Sequence, residues 1–215
     1  MTRRLRVAIP LFPQFTALDA IGPYEVLAQV PAFDITFAGH ARGEVRAGNG
    51  MLGLVVDARF EDLPSPDVII FPGGDTRLLQ SDARVLDWVR SAHTSTIWTT
   101  SVCTGSLVLG SAGLLDGLTA TTHWARYADL AACGATPVPE RVVEHPDRRI
   151  ITAAGVSAGI DMALRLTELL ADRTAAQAAQ LLIEYDPQPP FDCGTRPKAT
   201  AEVMARVLEY DAPRP

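Results

Sequence analysis

Several large classes of protein leave no mark on this sequence. Its three cysteines, Cys103, Cys133 and Cys193, are an odd number with no CxxC spacing, which points away from both a disulfide framework and a zinc site. The four histidines, His40, His93, His123 and His145, lie far apart with no paired-ligand spacing, so no metal is expected. No segment approaches the length of a membrane span. The apolar run near Arg3-Arg4-Leu5-Arg6 meets Pro10 too soon to serve as a signal core. No basic run extends beyond Arg3-Arg4 and the formal charge is −6, so the electrostatic footprint of a nucleic-acid binder is missing. Neither a P-loop nor a dinucleotide fingerprint occurs. The expectation is a cytoplasmic protein without cofactor, membrane or nucleic-acid partner, acting on a small neutral molecule.

What is there suits one well-filled core. The chain has 215 residues, 47% hydrophobic and 20% charged, and shows no internal repeat, so a single domain over residues 1–215 is expected. Strand-like runs occur at Leu5–Leu11, Phe33–Ala38, Val68–Phe71, Thr96–Thr100, Arg141–Glu144 and Arg149–Ala153. Glu44 to Asp57 alternates as a hairpin turning at Gly48-Asn49-Gly50. Helical patterns cover Ala17–Val30, Ser81–Ala92, the stretch from Cys103 to about Ser111, a segment ending near Ala132, Ile160–Ala171, Thr174–Glu184 and Ala199–Tyr210. Asp186 to Gly194 is too rich in proline for either and reads as an extended strap. Alternating strands and helices with fully apolar strands predict an α/β sandwich: a mostly parallel sheet with helices on both faces.

The organising stretch is Thr96 to Leu109, where a buried strand passes through a small-residue turn at Cys103 into a helix. The first N–H groups of a helix carry partial positive charge, which favours a thiolate at such a corner. Two readings fit Cys103: a reactive nucleophile on an elbow, or a small apolar residue in the core. Asp19 precedes Gly22-Pro23, where a kink or a fresh helix start is expected, which puts Asp19 in irregular backbone just before the main helix. Its acid either caps that helix or serves chemistry. Gly73-Gly74, at the carboxyl end of the Val68–Phe71 strand, form either a tight turn or an anion pocket of free N–H groups. In sheets of this type ligands bind outside the carboxyl ends of the strands, so the glycine pair and Cys103 are expected to converge.

On Asp19 to Glu25, Phe71-Pro72-Gly73-Gly74, Ser101-Val102-Cys103-Thr104-Gly105 and Thr121-Thr122-His123-Trp124, the chain resembles the ThiJ/PfpI superfamily, flavodoxin-like relatives of class I glutamine amidotransferases. Gly155 to Asp161 and Glu184 to Asp192 make it most similar to the isonitrile (isocyanide) hydratase branch. The resemblance implies a three-layer sandwich, a homodimer, and hydration of an isonitrile to an N-substituted formamide. In that scheme Cys103 is the nucleophile, Asp19 its acid/base partner and Thr104 a supporting hydroxyl. Gly73 and Gly74 belong to the substrate pocket, where the N–H groups of Gly74 and Thr104 bind an anion or orient a water.

Two residues stay open. His123 either partners the cysteine or caps the next helix beside Trp124, and Glu25 either approaches His123 or a dimer interface or is solvated. An amidotransferase or peptidase needs a general-base histidine, yet the last is His145 and Thr104 stands directly after Cys103. An AraC-type regulator shares the Gly22-Pro23 and Thr122-His123-Trp124 patterns but adds a C-terminal DNA-binding domain, which is not expected here. The remaining alternative is a glyoxal-directed or redox-sensing protein that uses the same Cys103.

Overall fold

Val68, Ile69, Ile70 and Phe71 are buried at every position, so both faces of their strand must be covered, and the fold is organised to do this. The structure is a computed structural model, and it describes residues 3–211. Its strands are β1 (Leu5–Pro10), β2 (Phe33–Gly39), β3 (Gly43–Arg46), β4 (Gly53–Val56), β5 (Ala58–Arg59), β6 (Val68–Phe71), β7 (Trp98–Val102), β8 (Thr119–Ala120), β9 (Thr136–Pro137), β10 (Val142–His145) and β11 (Ile150–Ala153). Its α-helices are α1 (Ala17–Ala28), α2 (Ala83–His93), α3 (Gly105–Ser111), α4 (Tyr127–Ala132), α5 (Ala158–Leu170), α6 (Arg173–Leu182) and α7 (Ala201–Asp211). They fall into two compact units, one ending at Glu184 and one starting at Tyr185.

In the first unit a seven-stranded sheet runs β10-β11-β7-β6-β1-β2-β5, parallel except for the edge strand β10, which pairs antiparallel to β11. Helices α1, α5 and α6 touch one another in one layer, while α3 packs on β6 and β7 with α2 and α4 beside it. This is the α/β sandwich expected from the alternation of elements, in the flavodoxin-like three-layer form that the family resemblance implies. Strands β3 and β4 pair as the expected hairpin, with Gly50 at φ +72° in the turn. Truncating one fully buried side chain of this core, such as Ile69 to alanine, costs about 2–5 kcal/mol. In the second unit Asp186 to Gly194 carries neither helix nor strand, and α7 follows. Among the described residues no helix is long and apolar enough to cross a membrane.

Three local expectations change. Helix α1 runs unbroken through Pro23, so Asp19 lies in its first turn and not in irregular backbone ahead of it. Pro23 removes one helical bond, the one to the Asp19 carbonyl. Close packing outweighs that loss: Gly22 sits against Ile160 and Pro23 against Gly159, both on α5. Strand β7 begins two residues later than Thr96, because the Thr96 hydroxyl turns back to the His93 carbonyl at 3.3 Å and to Thr99 Oγ1 at 2.9 Å. It then continues through Ser101 and Val102, paired to Thr152 and Ala153. Strands β5 and β9, two residues each, are too short to leave a periodicity.

Candidate active site

Strand β7 ends at Val102 and α3 starts at Gly105, leaving Cys103 at the bend with φ +57°. A residue with a Cβ in this left-handed region costs about 1–3 kcal/mol, so the surroundings must hold it. The Cys103 N–H lies between the carbonyls of Ala153 and Ala154, at 3.0 and 3.1 Å. Its own carbonyl accepts from Ser106 Oγ at 3.0 Å, Ser106 N at 3.4 Å and Thr122 Oγ1 at 2.9 Å. Gly105 lets the first turn of α3 press on the end of β6, where any Cβ would collide with the Phe71 carbonyl.

Asp19 reaches this corner from α1 and is 0% exposed. Its Oδ2 accepts the Gly73 N–H at 2.8 Å, so it does not cap α1 with its side chain. Among the described residues Oδ1 takes no hydrogen bond. Burial pushes the carboxyl up to about 7, only partly offset by the Gly73 N–H and the neighbouring Cys103 thiol. Cys103 is itself pushed up to about 12, first by burial and then by the charge of Asp19. The N–H groups of Thr104 and Val156 face the sulfur and pull the other way, but they do not prevail. The low thiol acidity follows from two tertiary facts, a buried sulfur and an adjacent carboxyl, which override the helix-start effect expected from the corner. The pair therefore gives up its first proton from Asp19, near neutral pH, while the sulfur keeps its own.

The glycine pair does not offer two free N–H groups. Gly73 N–H is taken by Asp19, and Gly74 N–H donates to Thr104 Oγ1 at 2.9 Å. The same hydroxyl donates to the Gly74 carbonyl at 2.9 Å, so Thr104 closes both bonds on one residue and spends its only proton there. Thr104 N–H faces the sulfur and not an anion pocket shared with Gly74. The segment works as a clamp. A Cβ on Gly73 would come within 2.6 Å of Thr104 N and Oγ1 and 2.7 Å of Asp19 Oδ2, which is why the residue is glycine.

Cys103, Asp19, Thr104, Gly73 and Gly74 thus come together at the carboxyl ends of β6 and β7. His123 stands by Gly155: a Cβ there would lie 2.7 Å from its Cδ2, its Nδ1 accepts the Ala125 N–H at 3.4 Å, and its ring packs 5.3 Å from that of Trp124. Glu25 is exposed on α1 and joins none of these hydrogen bonds. One contributor escaped sequence reasoning. Val156 has φ +46°, a strained setting for a β-branched residue, and its N–H faces Cys103. The Gly155-to-Gly159 run marks the place, but nothing in it signals the handedness of Val156. Among the described residues no group of three or more histidine, cysteine or acidic side chains could hold a metal ion.

Comparison with known proteins gives this geometry its context. The chain is 43% identical over 210 residues to the isonitrile hydratase of Pseudomonas putida, covering 97% of this chain and 91% of that one. A crystal structure of a ThiJ/PfpI family protein from Pseudomonas syringae superposes with a TM-score of 0.90 at 37% identity, covering 96% of this chain and 86% of that chain. Schizosaccharomyces pombe DJ-1, at 18% identity and TM-score 0.73 over 86% of this chain and all of that one, shares the fold alone. The model of the DJ-1/PfpI family matches residues 5–169, a span that holds β1 through most of α5 and every residue of the Cys103 corner, and the chain belongs to that family.

Proposed function

We propose that the protein is an isonitrile hydratase, converting R–N≡C and water to R–NH–CHO through a covalent thioimidate on Cys103. The observation that carries this reading is the pairing of Cys103 with one buried carboxyl, Asp19, at about 7. A carboxyl at that value gives and takes a proton near neutral pH, which the addition requires twice. The 43% identity to the P. putida enzyme over nearly the whole chain supports the substrate class.

In the first half the Cys103 sulfur forms a bond to the terminal carbon of the isonitrile. The thiol proton passes to the Asp19 carboxylate and from there to the same carbon, giving R–N=CH–S–Cys103. In the second half water adds to that carbon, one of its protons moving through Asp19 to nitrogen. The tetrahedral R–NH–CH(OH)–S–Cys103 then collapses. The hydroxyl proton goes to Asp19, the C–S bond breaks with its electron pair returning to sulfur, and the N–H groups of Thr104 and Val156 meet the charge that develops there. Asp19 returns the proton to sulfur and the formamide leaves. Thr104 acts through the Gly74 clamp, and its hydroxyl proton is not offered to the substrate. The reading includes a cytoplasmic homodimer.

The alternative, a redox sensor or glyoxal-directed protein, would draw on the same Cys103 and Asp19, and the 43% identity to an isonitrile hydratase over nearly the whole chain favours the hydratase reading over it. Turnover of cyclohexyl or p-nitrophenyl isocyanide, followed by formamide, tests the proposal. Product from wild type and none from Cys103→Ala or Asp19→Ala is expected. No product from folded wild type, or near-normal rates from Cys103→Ala, overturns it.

A further inference from the structure

The Thr121-Thr122-His123-Trp124 motif has no part in the chemistry above, yet Thr122 touches the nucleophile's own backbone. Thr122 is 0% exposed, and its hydroxyl donates to the Cys103 carbonyl at 2.9 Å. We propose that Thr122 is a positioning residue, whose hydroxyl holds the left-handed backbone of Cys103 and so keeps the thiol against Asp19. The inference rests on reading Cys103 as the nucleophile.

The other donors to the Cys103 carbonyl, Ser106 N and Oγ, lie three residues on at the start of α3 and move with the elbow itself. They tighten the turn but do not tie it to the rest of the molecule. Thr122 lies nineteen residues downstream, in a separate segment leaving β8. That segment is itself fixed, because the Thr121 N–H donates to Thr152 Oγ1 at 3.0 Å, and Thr152 on β11 is the register partner of Ser101 on β7. The Cys103 N–H ends on the same strand's last carbonyl, Ala153, and on Ala154. Both sides of Cys103 are thus referred to β11, the N–H directly and the carbonyl through Thr122. Removing the hydroxyl frees the carbonyl side. The backbone of Cys103 then relaxes from φ +57°, and the sulfur moves off Asp19 and off the N–H groups of Thr104 and Val156.

Thr122→Val keeps the shape and deletes the hydroxyl, and Thr122→Ser keeps the hydroxyl. Two readouts decide: the pH dependence of Cys103 alkylation by iodoacetamide, followed on the Cys103 peptide, and kcat and KM for cyclohexyl isocyanide. In Thr122→Val the sulfur leaves both the carboxylate that raises its midpoint and the N–H groups that lower it, so the alkylation midpoint departs from that of wild type by about half a pH unit or more. Its kcat falls about tenfold to a hundredfold with KM within about twofold of wild type. Thr122→Ser restores both. Should Thr122→Val not fold, Thr122→Ala is measured in its place with the same outcome expected. A hydroxyl-deleted variant with the wild-type alkylation profile, even if its Tm is lowered, overturns the proposal, and so does a Thr122→Ser that behaves like the valine variant. The alkylation profile needs no turnover, so it tests Thr122 even where the isonitrile reading fails.

Discussion

Asp19 gives up its proton before Cys103 does. The carboxyl sits at about 7 and the thiol at about 12, in one buried space between α1 and the elbow of β7 and α3. In the proposed reaction, attack and protonation of the substrate would draw on the thiol proton, with Asp19 as its carrier.

The pH dependence of turnover follows from that order. With Asp19 as the base, kcat/KM rises with pH and levels off above about 7, the value of the Asp19 carboxyl. Below it the rate drops about tenfold per pH unit. A rate profile measured between pH 5 and 9 checks this. A rising limb near 9, where an ordinary thiol ionises, contradicts the assignment of Asp19.

Stability carries the opposite sign. Asp19 binds its proton more tightly in the folded chain than in the unfolded one, where 3.8 applies, so stability falls as pH rises from about 4 to about 7 and stays low above that. At 1.36 kcal/mol per pH unit the gap is worth about 4 kcal/mol at most. Asp19→Asn removes the penalty, so the variant gains Tm over wild type at pH 8 and much less at pH 4.5, while losing activity. Thermal melts at the two pH values decide it. Equal differences at both contradict a buried, raised carboxyl.

The clamp residues separate positioning from chemistry. Gly73→Ala pushes a Cβ into Thr104 and Asp19, so it loses about 1–3 kcal/mol of stability and about a hundredfold in kcat. Stopped-flow turnover and chemical denaturation measure both. Activity within about threefold of wild type would mean that the close approach of Gly73 is not needed.

Thr104→Val leaves the Gly74 N–H without its partner and takes from the Gly74 carbonyl one of its two donors, the other being the Thr76 N–H at 3.0 Å, whereas Thr104→Ser keeps both bonds. The valine variant falls about tenfold or more in kcat, and the serine variant stays near wild type. Steady-state kinetics of the pair test this. Loss in both, equally, points to a role for the Thr104 methyl group instead.

Much of the fold is legible in the sequence because its signals are local. Val68–Phe71 is a short continuous apolar run of the kind expected for a strand covered on both faces, and the hairpin glycines stand where the turn needs them. The site is legible as a set of residues but less so as a set of roles. The acidity of Cys103 depends on burial and on Asp19, eighty-four positions away in the chain, and the corner motif records neither. Gly73 and Gly74 look like an open nest until Asp19 and Thr104 arrive to fill their N–H groups. Pro23 predicts a break in α1, which packing against α5 outweighs. The positive φ of Val156 has no sequence signal, since valine is among the least suited residues for it.

The most direct test of the account is a rapid-quench mass measurement of the protein mixed with an isonitrile. Addition of the thiol has no leaving group, so the account predicts a transient species heavier by the whole isonitrile, mapped to Cys103 and absent in Cys103→Ala. Formamide formed with no such adduct, or with an adduct elsewhere while Cys103→Ala still turns over, would contradict it.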